Sequence, residues 1–174
     1  MQTGRWALLS LLIAVVGTLG SLYLSIGMGL KACPLCFYQR TFIMAAFAVL
    51  AVGLLVDRSQ AGLLCLLCLP LAVAGTAVAA YHEYLVLASK LECPKAILSI
   101  GTAPAQSLAV FVALTAVVAV GCRQKAREGV GAAAFGLALA WGCVASAPPM
   151  PPTPQKPYDQ PLEICRPPFN PNAV

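Results

Sequence analysis

Charged residues are scarce in this sequence: Asp, Glu, Lys and Arg together make up 10% of its 174 residues. A soluble domain has about 25% charged residues, so this chain lacks the polar surface that a water-soluble fold needs. Its 11 Lys and Arg residues give a net charge of +5 but form no basic stripe with interleaved aromatics. We therefore expect a membrane protein and no nucleic-acid partner.

Long apolar runs take the place of the missing charge. Because about 20 apolar residues cross a bilayer, the sequence predicts five membrane spans, at about 6–28, 37–56, 61–81, 106–122 and 129–147. The first run exceeds the apolar core of a signal peptide, which covers about 7–15 residues. Pro70 lies inside the third run, where a membrane helix tolerates proline with a kink. The predicted fold is an all-α integral membrane helical bundle over residues 1–147.

A proline-rich segment follows the last predicted span. Residues 148–154 contain five prolines, a composition typical of extended polyproline structure. We expect residues 148–174 to form an extracytoplasmic tail that carries Cys165. Ala145-Ser146-Ala147 resembles a signal-peptidase site, and cleavage there would release the tail unless a disulfide held it.

The eight cysteines divide into two groups when the predicted spans are counted. Loops that follow odd-numbered spans emerge on one side of the membrane, and they carry Cys33, Cys36, Cys93 and Cys165. Disulfides persist outside the reducing cytosol, and the basic segment 123–127 favours a cytoplasmic position for the opposite loops. We therefore expect these four cysteines to face the extracytoplasmic side. The others, interpreted as small buried hydrophobic residues without a catalytic role, are Cys65, Cys68, Cys122 and Cys143.

Cys33-Pro34-Leu35-Cys36 is a Cys-X-X-Cys motif at the predicted start of the second span. This spacing allows a small disulfide ring and lowers the pKa of one thiol, which favours thiol–disulfide exchange. We expect the helix N-terminus to favour the Cys36 thiolate. A static structural disulfide is the alternative. Two Cys-X-X-Cys motifs can form a zinc site, but the motif at 65–68 lies near the opposite membrane face, so no metal is expected.

Cys93 and Cys165 are the second pair on the shared face, and both have polar or proline-rich neighbours. They could form a structural staple that ties the tail to the loop. They could equally form an exchangeable disulfide that a soluble partner reaches. The sequence leaves both interpretations open.

Two further polar residues are predicted to lie near the motif. Arg40 is four residues after Cys36 and so shares its helix face, where it could stabilise a thiolate, donate to an acceptor oxygen or extend to lipid headgroups. His82 is the only histidine and ends the predicted third span on the same membrane side. It could be structural, pair with a quinone carbonyl or move protons.

The segment Cys33-Pro34-Leu35-Cys36-Phe37-Tyr38-Gln39-Arg40, together with His82 after Tyr81, resembles the disulfide-bond formation protein B (DsbB) family. The resemblance covers roughly the first two-thirds of the chain. It implies a four-helix DsbB-like core in the bacterial cytoplasmic (inner) membrane, extended here by a fifth helix. It also implies a quinone-dependent oxidoreductase that reoxidises a soluble DsbA-like thioredoxin-fold thiol oxidase and passes the electrons to ubiquinone or menaquinone.

The resemblance also assigns roles to individual residues. It implies that Cys36 faces the quinone, that Arg40 supports a quinone oxygen, and that His82 joins them in the cofactor site. Cys33 then exchanges with the second cysteine pair. Family members commonly hold both sulfurs of that pair in the loop after the third span, whereas this loop has only Cys93. We therefore expect Cys165 to supply the other sulfur and Cys93 to meet the partner.

Two alternatives remain. A vitamin K epoxide reductase-like enzyme is also a quinone-linked helical bundle with a Cys-X-X-Cys motif, but in that family the motif lies in a late span and the loop cysteines precede it. A non-catalytic membrane scaffold would use its disulfides only as staples. Quinone-dependent oxidation of a dithiol separates an enzyme from a scaffold.

Overall fold

The computed structural model describes residues 2–97, 100–149, 151–152, 154 and 156–169. Its helices are α1 (Gln2–Ile26), α2 (Pro34–Val56), α3 (Ala61–Leu87), α4 (Ala103–Gly121) and α5 (Ala126–Ser146). All five are long and apolar enough to cross a membrane. Within the described ranges the chain forms isolated β-bridges but no strand. The prediction of an all-α membrane helical bundle with a fifth helix is confirmed.

Helix α3 extends further than the sequence suggested. The predicted span ended at Tyr81, whereas α3 continues for about two more turns to Leu87. His82 and Leu85 lie on its buried face, so packing within the protein supports the extension beyond the apolar run. The helix ends before Ser89, whose φ of 54° turns the chain out of the helical path. His82 is therefore a helical residue with a fixed direction.

Helix α3 forms the centre of the bundle and packs against each of the other four helices. Glycine allows the closest approaches. A Cβ atom at Gly75 would overlap the ring of Phe111 on α4. A Cβ atom at Gly136 of α5 would lie 2.6 Å from the carbonyl oxygen of Pro70. The prediction that α3 continues through Pro70 agrees with the structure, and α5 packs at this position.

Short and long connections lie at opposite ends of the bundle. A three-residue turn, Arg58–Gln60, joins α2 to α3, and another, Arg123–Lys125, joins α4 to α5. Asp57 caps the first turn by accepting a hydrogen bond from the Ser59 backbone N–H at 2.8 Å. The longer α1–α2 and α3–α4 loops and the C-terminal tail leave the other end, which we call the loop end.

The tail folds back onto the loop end. Glu92 and Arg166 exchange two backbone hydrogen bonds of 2.8 and 3.0 Å, and their side chains form an ion pair at 2.8 Å. Lys31 donates its backbone N–H to the Glu163 carbonyl at 2.8 Å, and the two side chains pair at 3.1 Å. The Arg166 guanidinium also stacks 3.7 Å from the Tyr158 ring centroid. These contacts hold the tail against both long loops and bring Cys165 to them.

Candidate active site at the loop end of the bundle

Three separate parts of the chain bring reactive side chains together at the loop end. The sulfurs of Cys33, Cys36 and Cys165 and a ring nitrogen of His82 all lie within 4.8 Å of one another. Cys165 is bonded to Cys93, which joins the α3–α4 loop to the tail across 72 residues of sequence. We call this group of four cysteines and one histidine the cysteine cluster. Counting the predicted spans placed these four cysteines on one side of the membrane, and in the structure the two pairs are close enough for disulfide exchange.

Cys33 is the N-cap residue of α2. Its sulfur accepts a hydrogen bond from the Cys36 backbone N–H at 3.2 Å, and Pro34 fills the first helical position, where proline is favoured. The two sulfurs of the motif lie 2.7 Å apart without a bond between them. From the sequence we expected the positive potential at the helix N-terminus to favour the Cys36 thiolate. That prediction was wrong, because Cys33 occupies the cap and its sulfur receives the N–H.

The surroundings of Cys33 favour its thiolate. The hydrogen bond from Cys36 lowers the Cys33 pKa most, burial opposes this, and His82 and the Cys36 N–H lower it further, to about 5. In the dithiol state Cys33 is therefore ionised at neutral pH. A thiol with a low pKa is a good leaving group in disulfide exchange, so Cys33 is suited to release from a mixed disulfide.

The Cys93–Cys165 disulfide has the connectivity expected from the sequence. Its two sulfurs differ in surroundings. Cys93 is buried, whereas Cys165 is partly exposed and lies within 4.8 Å of the sulfurs of both Cys33 and Cys36. Cys165 is therefore placed for exchange with the motif at the start of α2.

His82 lies between the two cysteine pairs. Its Nε2 is 3.5 Å from the Cys93 sulfur and 3.8 Å from the Cys33 sulfur. Its Nδ1 is 3.2 Å from the side-chain nitrogen of Gln39, and both residues are buried. Sequence reasoning missed Gln39, although an amide inside an apolar membrane helix is itself a signal, since uncompensated polar groups are costly there.

A cavity of about 380 Å³ opens beside the cysteine cluster. Cys36 and Arg40 line it from α2, and Cys165 lines it from the tail. Apolar and small residues supply most of the remaining wall, among them Gly17 and Leu24 of α1. His82 does not line the cavity. Its predicted place in the cofactor site remains a prediction, whereas Cys36 and Arg40 do share one cavity.

Helix α1 fixes the position of Arg40. The guanidinium donates to the Ser21 hydroxyl at 2.9 Å, to the Ser21 carbonyl at 3.1 Å and to the Ser25 hydroxyl. Because three acceptors hold the planar group, the Arg40 charge stays beside the cavity instead of extending away from it. The sequence did not indicate these serines, since polar residues spaced along α1 have no recognisable motif.

The remaining cysteines lie outside the cysteine cluster. Cys65 and Cys68 are fully buried in α3, Cys122 is buried at the end of α4, and Cys143 is partly buried in α5. The Cys68 thiol lies 3.7 Å from the Ala46 carbonyl of α2, a contact between packed helices. These positions agree with the interpretation of the four residues as small packing side chains.

Comparison with known proteins identifies one family. The family model described as "Disulfide bond formation protein DsbB" matches residues 3–108, which is more than half of the chain. The match includes the Cys-X-X-Cys motif, Arg40, His82 and Cys93, and it ends before α5 and Cys165. No curated protein and no solved structure matches the chain significantly.

Proposed function

Because the chain belongs to the DsbB family, whose members are membrane oxidoreductases that generate disulfides, we propose that it reoxidises a soluble thioredoxin-fold thiol oxidase and passes the electrons to membrane quinone. One observation supports this most directly: the Cys165 sulfur lies within 4.8 Å of both sulfurs of the Cys33/Cys36 pair. Two pairs that close can exchange by thiolate attack. In the proposed arrangement the protein lies in the bacterial inner membrane, with its loop end extracytoplasmic.

The partner first reduces the outer disulfide. Attack on the Cys93 sulfur is the productive choice, because it releases Cys165 as the thiolate beside Cys33 and Cys36. Cys93 is buried under the tail, but the tail's ion pairs are partly exposed, and such pairs contribute only about 0–1 kcal/mol. To expose Cys93, the partner must displace the tail and also break the two backbone hydrogen bonds between Glu92 and Arg166.

The second step moves two electrons from the Cys93/Cys165 pair to the Cys33/Cys36 pair. The Cys165 thiolate attacks the Cys33 sulfur of the Cys33–Cys36 disulfide, so that a Cys33–Cys165 bond forms and Cys36 leaves as a thiolate. The second thiol of the partner attacks the partner sulfur that is bonded to Cys93, which releases the partner as a disulfide and Cys93 as a thiol. Cys93 then attacks Cys165, which restores the Cys93–Cys165 bond and releases Cys33 as a thiolate. The outer pair is oxidised again, and the inner pair carries the electrons.

The cavity beside Cys36 has the chemistry that a quinone head requires. Its walls are largely apolar, which suits the ring, and the Arg40 guanidinium supplies hydrogen-bond donors for a carbonyl oxygen. Cys36 and Arg40 would hold the group. A quinone bound there would supply the oxidising power by accepting the two electrons of the Cys33/Cys36 pair.

The test uses the full chain in lipid, with a reduced thioredoxin-fold thiol oxidase and a soluble ubiquinone analogue. Quinone absorbance and partner thiols are followed together. We expect one quinone to be consumed for each partner dithiol oxidised. Cys36→Ser should abolish quinone reduction with any thiol donor. Cys93→Ser should abolish it with the protein donor but retain it with dithiothreitol, which can reduce the inner pair directly.

Cys143→Ser is the matched control, because Cys143 lies on α5 outside the cysteine cluster, and it should retain full activity. Quinone reduction at the unaltered rate in Cys36→Ser would contradict the proposal. So would the absence of any quinone consumption by the unaltered protein, which is the result expected of a scaffold with structural disulfides.

A further inference from the structure

His82 has surroundings that a cofactor ligand or a packing residue would not need. It is fully buried on α3, does not line the cavity, and places Nε2 between one sulfur of each cysteine pair. The two contacts, 3.5 Å to Cys93 and 3.8 Å to Cys33, join the two sulfurs of the cluster that do not line the cavity. The single imidazole nitrogen is thus shared by the outer and the inner pair.

The last step of the exchange proposed above requires Cys93 to lose a proton. In this step Cys93–SH attacks the Cys33–S–S–Cys165 bond, the bond from Cys93 to Cys165 forms, and the bond from Cys33 to Cys165 breaks. The electron pair of the broken bond stays on Cys33, which leaves as a thiolate in agreement with its lowered pKa. The Cys93 proton passes to an adjacent base, so the step needs no additional oxidant or reductant.

Water is poorly placed to carry that proton. Cys93 and Cys33 are 9% and 5% exposed, and His82 between them has no exposed surface. Burial disfavours the free thiolate that Cys93 must become, so an adjacent base is required. We propose that His82 takes the proton from Cys93 during internal disulfide exchange, so that the protonated ring lies beside the departing Cys33 thiolate, and that Gln39 holds the ring in position. This inference rests on the exchange step of the proposed function.

Gln39 suits the positioning role because a primary amide can serve an imidazole in either protonation state. When Nδ1 of His82 carries a proton, the Gln39 side-chain oxygen can accept a hydrogen bond from it, whether or not Nε2 has taken the Cys93 proton. When the only ring proton is on Nε2, the Gln39 side-chain nitrogen donates to Nδ1. In the structure these two nitrogens are 3.2 Å apart, which is the second arrangement. A half-turn of the amide connects the two arrangements.

The experiment isolates the exchange from the quinone. Oxidised protein in lipid, without quinone, is mixed with one equivalent of the reduced thioredoxin-fold partner, quenched in acid at intervals and alkylated. Mass spectrometry then measures the Cys33–Cys165 mixed disulfide and the thiols of each pair. In His82→Leu we expect the mixed disulfide to accumulate and its resolution to slow by about 100-fold, the scale of lost general acid–base catalysis. Its formation should be much less affected.

Further variants separate proton transfer from structure. His82→Gln retains polar contacts but carries no proton, so it should accumulate the same mixed disulfide. Gln39→Met removes the amide at similar size, and we expect an intermediate accumulation of the mixed disulfide. When Gln39→Met is combined with His82→Leu, the accumulation should equal that of His82→Leu alone. Thr76→Val is the control. It removes a hydroxyl on α3 that forms a hydrogen bond to Thr115 at 2.8 Å, and this variant should resolve the Cys33–Cys165 mixed disulfide at the unaltered rate.

Resolution at the unaltered rate in both His82 variants would overturn the proton-transfer role. Equal slowing of every step, including reduction of the outer disulfide, would assign His82 a structural role and also overturn it. Failure of the unaltered protein to move electrons from the outer to the inner pair is a different result, because it would contradict the proposed function itself.

Discussion

At the scale of single residues, function depends on a few polar groups held inside an apolar helical bundle. Cys33 caps α2, Arg40 is held by serines of α1, and His82 is held by Gln39. Each group has a hydrogen-bond partner on the same or a neighbouring helix. Because unpaired polar groups are costly in such surroundings, these partners also fix the directions of the reactive atoms.

The lowered pKa of Cys33 leads to a prediction about pH. A thiol whose pKa falls from 9.0 to about 5 is a thiolate above that value and becomes protonated as the pH decreases through it. In the reduced protein we expect the ultraviolet thiolate absorbance assigned to Cys33 to stay constant from about pH 8 to about pH 6 and to decrease near pH 5. Subtraction of the Cys33→Ser spectrum isolates the signal.

The hydrogen bond from Cys36 is the largest cause of this lowered pKa, so its removal is the informative control. Cys36→Ala should shift the loss of thiolate absorbance to higher pH. A Cys33 signal that appears only above about pH 8, as for an ordinary thiol, would contradict the lowered pKa of Cys33.

At the scale of elements, the bundle depends on close helix packing around α3. Gly75 faces the Phe111 ring of α4, and the Thr76 hydroxyl beside it bonds to Thr115 of α4 at 2.8 Å. Small residues that allow helix backbones to approach are a common means of association in membranes, where exclusion of water does not drive contact between helices. The α3–α4 contact also fixes the two ends of the loop that carries Cys93.

Gly75→Ala should destabilise the bundle. The added methyl group would overlap the Phe111 ring, and overpacking of this kind costs about 1–3 kcal/mol. Thermal unfolding in detergent should show a lower midpoint. Gly131→Ala is the matched control, since a Cβ atom at Gly131 of α5 meets nothing within 4 Å. An equal midpoint in the two variants would show that the α3–α4 approach is less close than described.

The sequence predicted the helices well because a bilayer sets the length of an apolar span, and helix ends therefore follow hydropathy. It underestimated the length of α3, because His82 and Leu85 pack against the protein and extend the helix after the apolar run has ended. Gln39 and Ser21 were missed for a related reason. Their importance depends on which helices are neighbours, and hydropathy does not determine that.

At the scale of the whole molecule, the C-terminal tail completes the cysteine cluster. It supplies Cys165 and contacts both long loops through Glu163 and Arg166. Parity of the spans predicted that the tail and these loops share one end, but the sequence could not specify the path that brings Cys165 to Cys33. That path depends on backbone pairing between Glu92 and Arg166 and on the disulfide itself.

Reduction of the outer disulfide should loosen the tail. A disulfide that closes a long loop contributes about 2–4 kcal/mol, more than the tail's partly exposed ion pairs. We expect glutamyl endopeptidase to cleave after Glu163 at least about tenfold faster in reduced than in oxidised protein, which corresponds to about 1.4 kcal/mol. Cleavage after Glu128, at the start of α5, is the internal control and should not change. Equal rates after Glu163 would show that the disulfide does not restrain the tail.

In the proposed mechanism, electrons enter at Cys93–Cys165 and move to Cys33/Cys36. The most direct measurement mixes fully oxidised protein, in lipid and without quinone, with one equivalent of the reduced thioredoxin-fold partner. After equilibration the mixture is quenched, alkylated and mapped by mass spectrometry. We expect alkylated Cys33 and Cys36 with the Cys93–Cys165 bond intact. Alkylated Cys93 and Cys165 beside an unreduced Cys33–Cys36 disulfide would contradict this mechanism.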